Sequence, residues 1–275
     1  MATQKHKTAA NLLNDYHLLS FDSLDSTNEE AKRLARGGGH HGAVIWAKSQ
    51  TDGKGRLGRN WVSLEGNLFV SILLQPEKPL EEFSQLSFVA AVAAIEALAA
   101  VVPQSSSLQC KWPNDILLND RKLGGILLES FRTEEEKHWA VVGVGINVDS
   151  YPPAFAEAKP LQLRAGRPHT QFPAICLKEA GVELVSAKII LSRFIHHFIE
   201  RYNQWNVKGF AAIRKQWLNA AWGLDKRICA HLPQGNIEGV CLGIDADGSL
   251  TLKLDNGRKQ QVHAADVFPV EKMEA

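Results

Sequence analysis

The chain has 275 residues, 45% of them hydrophobic and 22% charged, and a formal net charge of +1. Such a length suits one large globular domain, or one large and one small, with enough apolar material for a sizeable core. A charge so near zero excludes the global basic field expected of a DNA-binding protein or of one held on an anionic membrane surface.

Residues 1–15 read as a polar, frayed tail without the apolar core of a signal peptide. A short strand is predicted over His17 to Asp22, before the run Asp25-Ser26-Thr27-Asn28-Glu29-Glu30. Ser26 followed three residues later by Glu29 has the spacing of a capping box. It predicts a helix through Arg36 that stops at Gly37-Gly38-Gly39. Hydroxyls and N–H groups at a helix start also suit ligand contact.

The apolar runs Ala43 to Ala47 and Asn67 to Leu74 predict two buried strands. Between them lies the loop Gln50-Thr51-Asp52-Gly53-Lys54-Gly55-Arg56-Leu57-Gly58-Arg59-Asn60-Trp61, with three glycines and three cations. Glycines expose backbone N–H groups in concave nests, and arginine grips a phosphate or carboxylate bidentately. The loop is suited to closing over an anion, although a plain solvated hairpin has the same composition. It lacks the Walker spacing and the Rossmann fingerprint, because a strand follows it where a helix should.

Phe83 to Val102 is alanine-rich, ends before Pro103 and predicts a closely packed core helix. In Leu108-Gln109-Cys110-Lys111-Trp112-Pro113-Asn114-Asp115-Ile116-Leu117-Leu118, a lysine stands inside an apolar strand. A buried ammonium is costly unless an anion faces it, so Lys111 meets either a ligand or a structural carboxylate. Asn119-Asp120 predicts a hairpin turn into the strand Arg121 to Glu129. Trp139 to Val148 is a strand thinned by Gly143 and Gly145, as where a ligand or another backbone comes close. Asn147 sits among apolar neighbours and needs a partner, either an adenine edge or a backbone group.

Residues 149–168 are rich in proline and read as an irregular segment. Helices are predicted over Ala187 to Trp205 and Val207 to Trp222. Four short strands, from Arg227, Ile237, Ser249 and Lys259, are separated by tight turns and predict a small antiparallel barrel.

Cys110, Cys176, Cys229 and Cys241 have no C-x-x-C spacing, which suits buried thiols in a reducing cytosol. The ten histidines show no H-E-x-x-H pattern, and the pairs His40-His41 and His196-His197 should point apart, so no metal site is assigned. No apolar stretch is expected to span a bilayer, and a cytoplasmic location follows.

With these segments in this order, the chain resembles the biotin protein ligases. The likeness is carried by Asp25-Ser26-Thr27-Asn28, the loop Gln50 to Trp61, Lys111-Trp112-Pro113-Asn114-Asp115, Lys122-Leu123-Gly124-Gly125-Ile126-Leu127-Leu128-Glu129 and Gly143-Val144-Gly145-Ile146-Asn147. The resemblance covers about Phe21 to Val267 and implies an α+β fold. Residues 16–223 would form a mixed β-sheet catalytic domain with helices on one side, of the class II aminoacyl-tRNA synthetase kind. Residues 224–275 would form an SH3-like barrel. It implies that biotin attacks the α-phosphate of Mg-ATP to give biotinyl-5′-AMP and pyrophosphate. A lysine of a biotin carboxyl carrier protein then takes the biotinyl group and releases AMP.

By the same resemblance, Ser26, Thr27 and Gln50 would bind the ureido ring, which needs donors and acceptors rather than charge, and Asn28 would also contact biotin. The Gly53-Lys54-Gly55-Arg56 segment would hold the biotin carboxylate, and Lys111 would neutralise carboxylate and α-phosphate together. Arg56, Arg59, Trp61, Lys111 and Asn147 would contact the nucleotide, with Arg56 and Lys111 the catalytic pair. The loop would be poorly ordered until it folds over the adenylate and shields it from water. Lys54 stands where the family more often has arginine, and Asp52 where it has a small residue. No DNA-binding module is expected before the first strand, so the implied type is the monofunctional ligase, with a homodimer left open. Rival readings are a lipoate or octanoate transferase, a transcription regulator with a vestigial fold, and a non-catalytic biotin binder.

Overall fold

A computed structural model describes residues 16–134, 136–157, 160–161, 169–170 and 172–270. The expected N-terminal tail and much of the proline-rich segment lie outside the described residues.

The chain runs β1 (His17–Leu24), α1 (Thr27–Arg36), β2 (Ala43–Gln50), β3 (Leu68–Leu74), α2 (Leu86–Ala99), β4 (Leu108–Lys111), β5 (Asp115–Leu118), β6 (Arg121–Arg132) and β7 (His138–Ile146). These strands form one sheet in the order β1-β2-β3-β7-β6-β5-β4. Only the β1–β2 pair is parallel, and α1 is its crossover. Asn119 (φ 50°) and Asp120 (φ 55°) turn β5 into β6, as the hairpin signal predicts.

All seven residues of the central strand β3 are buried. Leu68, Val70, Ile72 and Leu74 belong to the main core, which also holds α2, while Leu73 packs with Ala31 and Ala35 of α1 on the opposite face. This is the period of two that separates a strand's faces. The layer on the α2 side is completed by α3 (Ala187–Lys208) and α4 (Phe210–Asn219). Their Phe194, Phe198, Trp205 and Ile213 are buried, and a large side chain so buried contributes about 1.5–3 kcal/mol. The helices expected on one side are therefore α2, α3 and α4, and α1 stands alone across the sheet.

Several boundaries differ from the sequence reading. Ser26 is the N-cap residue of α1 by its extended backbone (φ −153°), yet its side chain makes no capping hydrogen bond. The capping box does not form, because Glu29 is drawn instead to Lys32 and Lys54. The predicted core helix opens with a 3-10 segment, Leu80–Gln85, before α2 proper. The stretch Leu80–Ala99 is 20 residues long and apolar enough to cross a bilayer by length and composition, contrary to the expectation that none would be. It is mostly buried, as the core helix of a folded domain is.

After a two-residue pairing of β8 (Pro160–Leu161) with β9 (His169–Thr170), the chain reaches the C-terminal sheet. That sheet holds β10 (Arg227–Leu232), β11 (Gly235–Ile244), β12 (Leu250–Lys253), β13 (Lys259–Val262) and β14 (Asp266–Pro269). They are antiparallel in the order β13-β12-β11-β10-β14. Sequence reading found four of these strands and missed β14. Trp112 Nε1 donates to the Gly248 carbonyl at 3.0 Å, and Arg214 Nε to that of Ile244 at 2.6 Å, fastening barrel to catalytic domain.

Candidate active site

On the α1 side of the sheet lies a cavity of about 500 Å³. Its floor is backbone. Gly125 of β6 is paired with Gly145 of β7, and Leu127 with Gly143. The missing side chains make room for neighbours. A Cβ on Gly143 would fall 2.2 Å from Asn28 Oδ1, and one on Gly145 would fall 2.8 Å from the Trp61 indole.

One end of the cavity is neutral and polar. Ser26, Thr27 and Asn28 are nearly fully buried at the start of α1. Thr27 donates from its N–H to Gln50 Oε1 (2.8 Å), and Gln50 Nε2 donates to Ser63 Oγ (2.9 Å). Buried Ser71 lies with its Oγ 2.7 Å from Thr27 Oγ1 and 2.5 Å from Asn28 Oδ1. Asn28 Nδ2 donates to Glu129 Oε2 at 2.8 Å. Such a network fixes donors and acceptors in place, and Lys32 Nζ offsets its one carboxylate, Glu129, at 2.7 Å.

Gly143→Ala is expected to break this network, because Asn28 cannot move away from a Cβ so close. The expected cost is about 1–3 kcal/mol of stability, measured by urea unfolding. An unchanged midpoint would mean that Asn28 yields to the added methyl group.

The charged residues of the lining are mostly paired. Beside the polar cluster Lys54 Nζ meets Glu29 at 2.9 Å, and elsewhere Arg59 pairs with Asp266 of β14. Asp115 is held between Lys111 Nζ at 2.9 Å and Lys122 Nζ at 2.6 Å. Burial pushes the Asp115 carboxyl up, but the two ammonium groups outweigh it and hold the acid well below the usual carboxylate range. Arg56 differs. Its Nη1 donates to Asn114 Oδ1 at 3.2 Å, and among the described residues no carboxylate lies within ion-pair distance of it. Burial lowers its pKa against the fields of Asp266 and Asp115. A guanidinium stays charged, so a partly desolvated one without a carboxylate favours an incoming anion.

Of the residues singled out from sequence, Ser26, Thr27, Asn28, Gln50, Lys54, Gly55, Arg56, Arg59, Trp61 and Asn147 line the cavity. Gly53 and Lys111 are not among its lining residues. Gly53 serves loop closure, since its carbonyl accepts from the Trp61 N–H at 2.8 Å. Lys111 is buried at 6% exposure and faces Asp115, which is the structural alternative left open above. Asn147 donates to the Ile175 carbonyl at 3.1 Å, so its amide has the backbone partner of the two considered. Trp61 lies against the glycine floor with Lys122 Nζ 5.6 Å from its ring centre, and its buried Nε1 has no hydrogen-bond partner.

Sequence reading missed Lys122, Asn114, Asp115 and Asp266 as cavity residues. Lys122 and Asp115 stood within quoted motifs, and the signal was a lysine just ahead of a glycine pair in a predicted strand. Nothing local marks Asp266, which reaches the cavity only because the barrel docks there.

The profile of the Biotin/lipoate A/B protein ligase family matches residues 20–147, and that of the Biotin protein ligase C terminal domain matches residues 223–268. A biotin–[acetyl-CoA-carboxylase] ligase of Paracoccus denitrificans is 36% identical over 244 residues, covering 89% of this chain and 97% of that protein. The bifunctional ligase/repressor BirA of Bacillus subtilis is 33% identical over 253 residues, covering 91% of this chain and 73% of that protein. The structure of a biotin protein ligase from Aquifex aeolicus in complex with biotin and ATP superposes with a TM-score of 0.73 at 26% identity, covering 92% of this chain and 99% of that one.

Proposed function

The chain belongs to the biotin protein ligase family, and on that premise we propose how its cavity joins biotin to ATP. It is an ATP-dependent ligase. Biotin displaces pyrophosphate from ATP to give biotinyl-5′-AMP, and a carrier lysine then displaces AMP. The carrier is the biotin carboxyl carrier protein of acetyl-CoA carboxylase or a related carboxylase, as the name of the Paracoccus relative suggests. The reaction is assigned to the cytoplasm, where ATP and reduced thiols such as the four buried cysteines belong.

The observation that carries the residue roles is the polarity of one cavity. Neutral, immobilised polar groups stand at one end, and Arg56, the guanidinium without a carboxylate, stands at the other with Lys122. The ureido ring belongs against Thr27, Asn28 and Gln50, with Ser26 beside them. Biotin's acid tail and the α-phosphate belong between Arg56 and Lys122. Two anions that repel one another are brought together there, and charge growing at phosphorus is stabilised by groups already in place. Lys111 acts through Asp115, which holds the Lys122 ammonium at the cavity wall. No protein nucleophile is needed.

Trp61 offers its ring to the adenine and its unpartnered Nε1 to a ligand acceptor. Arg59 leaves Asp266 for the nucleotide's phosphates, and the loop closes behind them. The cavity carboxylates Asp115 and Asp266 are both paired with cations, so the chain offers Mg2+ no ready cage. Mg2+ would be carried in by the triphosphate as its counter-ion, the usual habit of that ion.

Biotin-dependent ATP–pyrophosphate exchange tests the assignment. Arg56→Ala is expected to weaken retention of the adenylate, so that biotin labels bystander lysines as well as the carrier. If Arg56→Ala retains the adenylate as tightly as wild type, the anion is held elsewhere. Labelling with lipoate in place of biotin checks the rival transferase reading.

A further inference from the structure

The face of the sheet turned away from the cavity carries a second cluster that the ligase reaction does not use. His196, His197 and Glu200 lie on α3, and Glu96 lies opposite them on α2. Glu200 is four residues from His196 and three from His197, so its carboxylate sits between two imidazoles that the sequence alone would point apart. His196 Nε2 is 3.6 Å from Glu200 Oε1, and His197 Nδ1 is 3.5 Å from Glu200 Oε2. His197 Nδ1 is also 3.6 Å from Glu96 Oε2. One ligand atom from each of His196, His197 and Glu200 can be chosen so that all lie within 4.8 Å of one another.

We propose that His196, His197 and Glu200 bind a divalent transition-metal cation of the zinc class, with water completing its shell.

The spacing argues for coordination rather than for an ion-pair network. A charge-assisted hydrogen bond between imidazolium and carboxylate closes to about 2.7–2.9 Å. Here three such pairs stand at 3.5–3.6 Å, and His197 Nδ1 and Glu96 Oε2 are buried without any hydrogen-bond partner. A tetrahedral ion with bonds of about 2.0–2.2 Å sets its ligand atoms roughly 3.3–3.6 Å apart, and each of the two imidazoles stands about that far from Glu200. Imidazole and carboxylate are both zinc ligands. Arg201 Nε lies 3.2 Å from Glu96 Oε2 and its Nη2 3.6 Å from Glu200 Oε2, so a bound ion competes with this guanidinium for Glu200. The cluster lies across the sheet from the cavity, so this inference does not rest on the ligase assignment.

Titrating the full chain with Co2+ in the absence of nucleotide tests it. The expected result is one equivalent bound with the visible spectrum of a four-coordinate ion, displaced by Zn2+. His197→Ala and Glu200→Gln should each weaken Co2+ binding at least about tenfold while biotin transfer persists. His196→Ala, at a well-exposed ring, serves if His197→Ala folds poorly. Equal Co2+ binding by wild type and variants, or a six-coordinate spectrum, would overturn the proposal.

Discussion

Lys122→Ala is expected to lower biotin-dependent ATP–pyrophosphate exchange by about 10²- to 10³-fold, the usual loss when one preorganised electrostatic donor is removed. Stability should change little, because Asp115 keeps Lys111 at 2.9 Å and no buried charge is left alone. Lys111→Ala should do the reverse. Lys111 is nearly fully buried, with its Nζ 5.2 Å from the Phe172 ring centre and 5.9 Å from that of Phe268. Its removal takes packing and a counter-ion out of the join between catalytic domain and barrel. The main effect should then be on unfolding, with a smaller one on exchange through a less firmly held Lys122. Exchange assays beside urea unfolding separate the two lysines. If Lys111→Ala abolishes exchange and Lys122→Ala does not, Lys111 is the ammonium at the reacting carboxylate.

The largest loss of stability is expected from Asp115→Asn, about 3–5 kcal/mol, the usual cost of removing one partner of a buried ion pair. Both Lys111 and Lys122 would lose their shared counter-ion, and each would then repel the other across a neutral amide. The same carboxylate sets an acid limit on the wild type. Its native pKa lies well below the ordinary carboxylate range, so the folded chain holds fewer protons at this site than the unfolded one. The stabilisation it gives is complete above about pH 5 and is lost as pH falls towards the depressed native value. Asp115→Asn should flatten that limb of a stability–pH curve. A curve of unchanged shape would mean that other carboxylates govern acid unfolding.

The pattern of strands and helices was legible because each element shows its buried face within a few residues. Ala43 to Ala47, Asn67 to Leu74 and Trp139 to Val148 are apolar runs, and all three became central strands. The loop that lines the cavity stood out because three glycines and three cations in so short a span suit an anion, although a plain hairpin has the same composition. What stayed hidden depends on contacts distant in sequence. Glu29 sits in a capping-box position but prefers Lys32 and Lys54, and the second of these comes from another strand connection. Whether Lys111 or Lys122 faces the cavity depends on the register of β5 against β6, which shifts between Ile116 and Leu117. Hydrophobic pattern does not encode a bulge of that kind. Strand β14 is only four residues long, and its Asp266 acquires a partner only once the barrel has docked.

The sharing of one acid between two lysines limits how this catalyst can change. Replacing that acid would change the charge at the cavity wall and loosen the seam under it together, so selection for activity and selection for foldability act there on the same atoms. The end proposed for the ring has no such double duty, since Thr27, Gln50 and Ser71 are joined by neutral hydrogen bonds alone. Engineering for altered vitamins should therefore begin there and leave the shared carboxylate untouched.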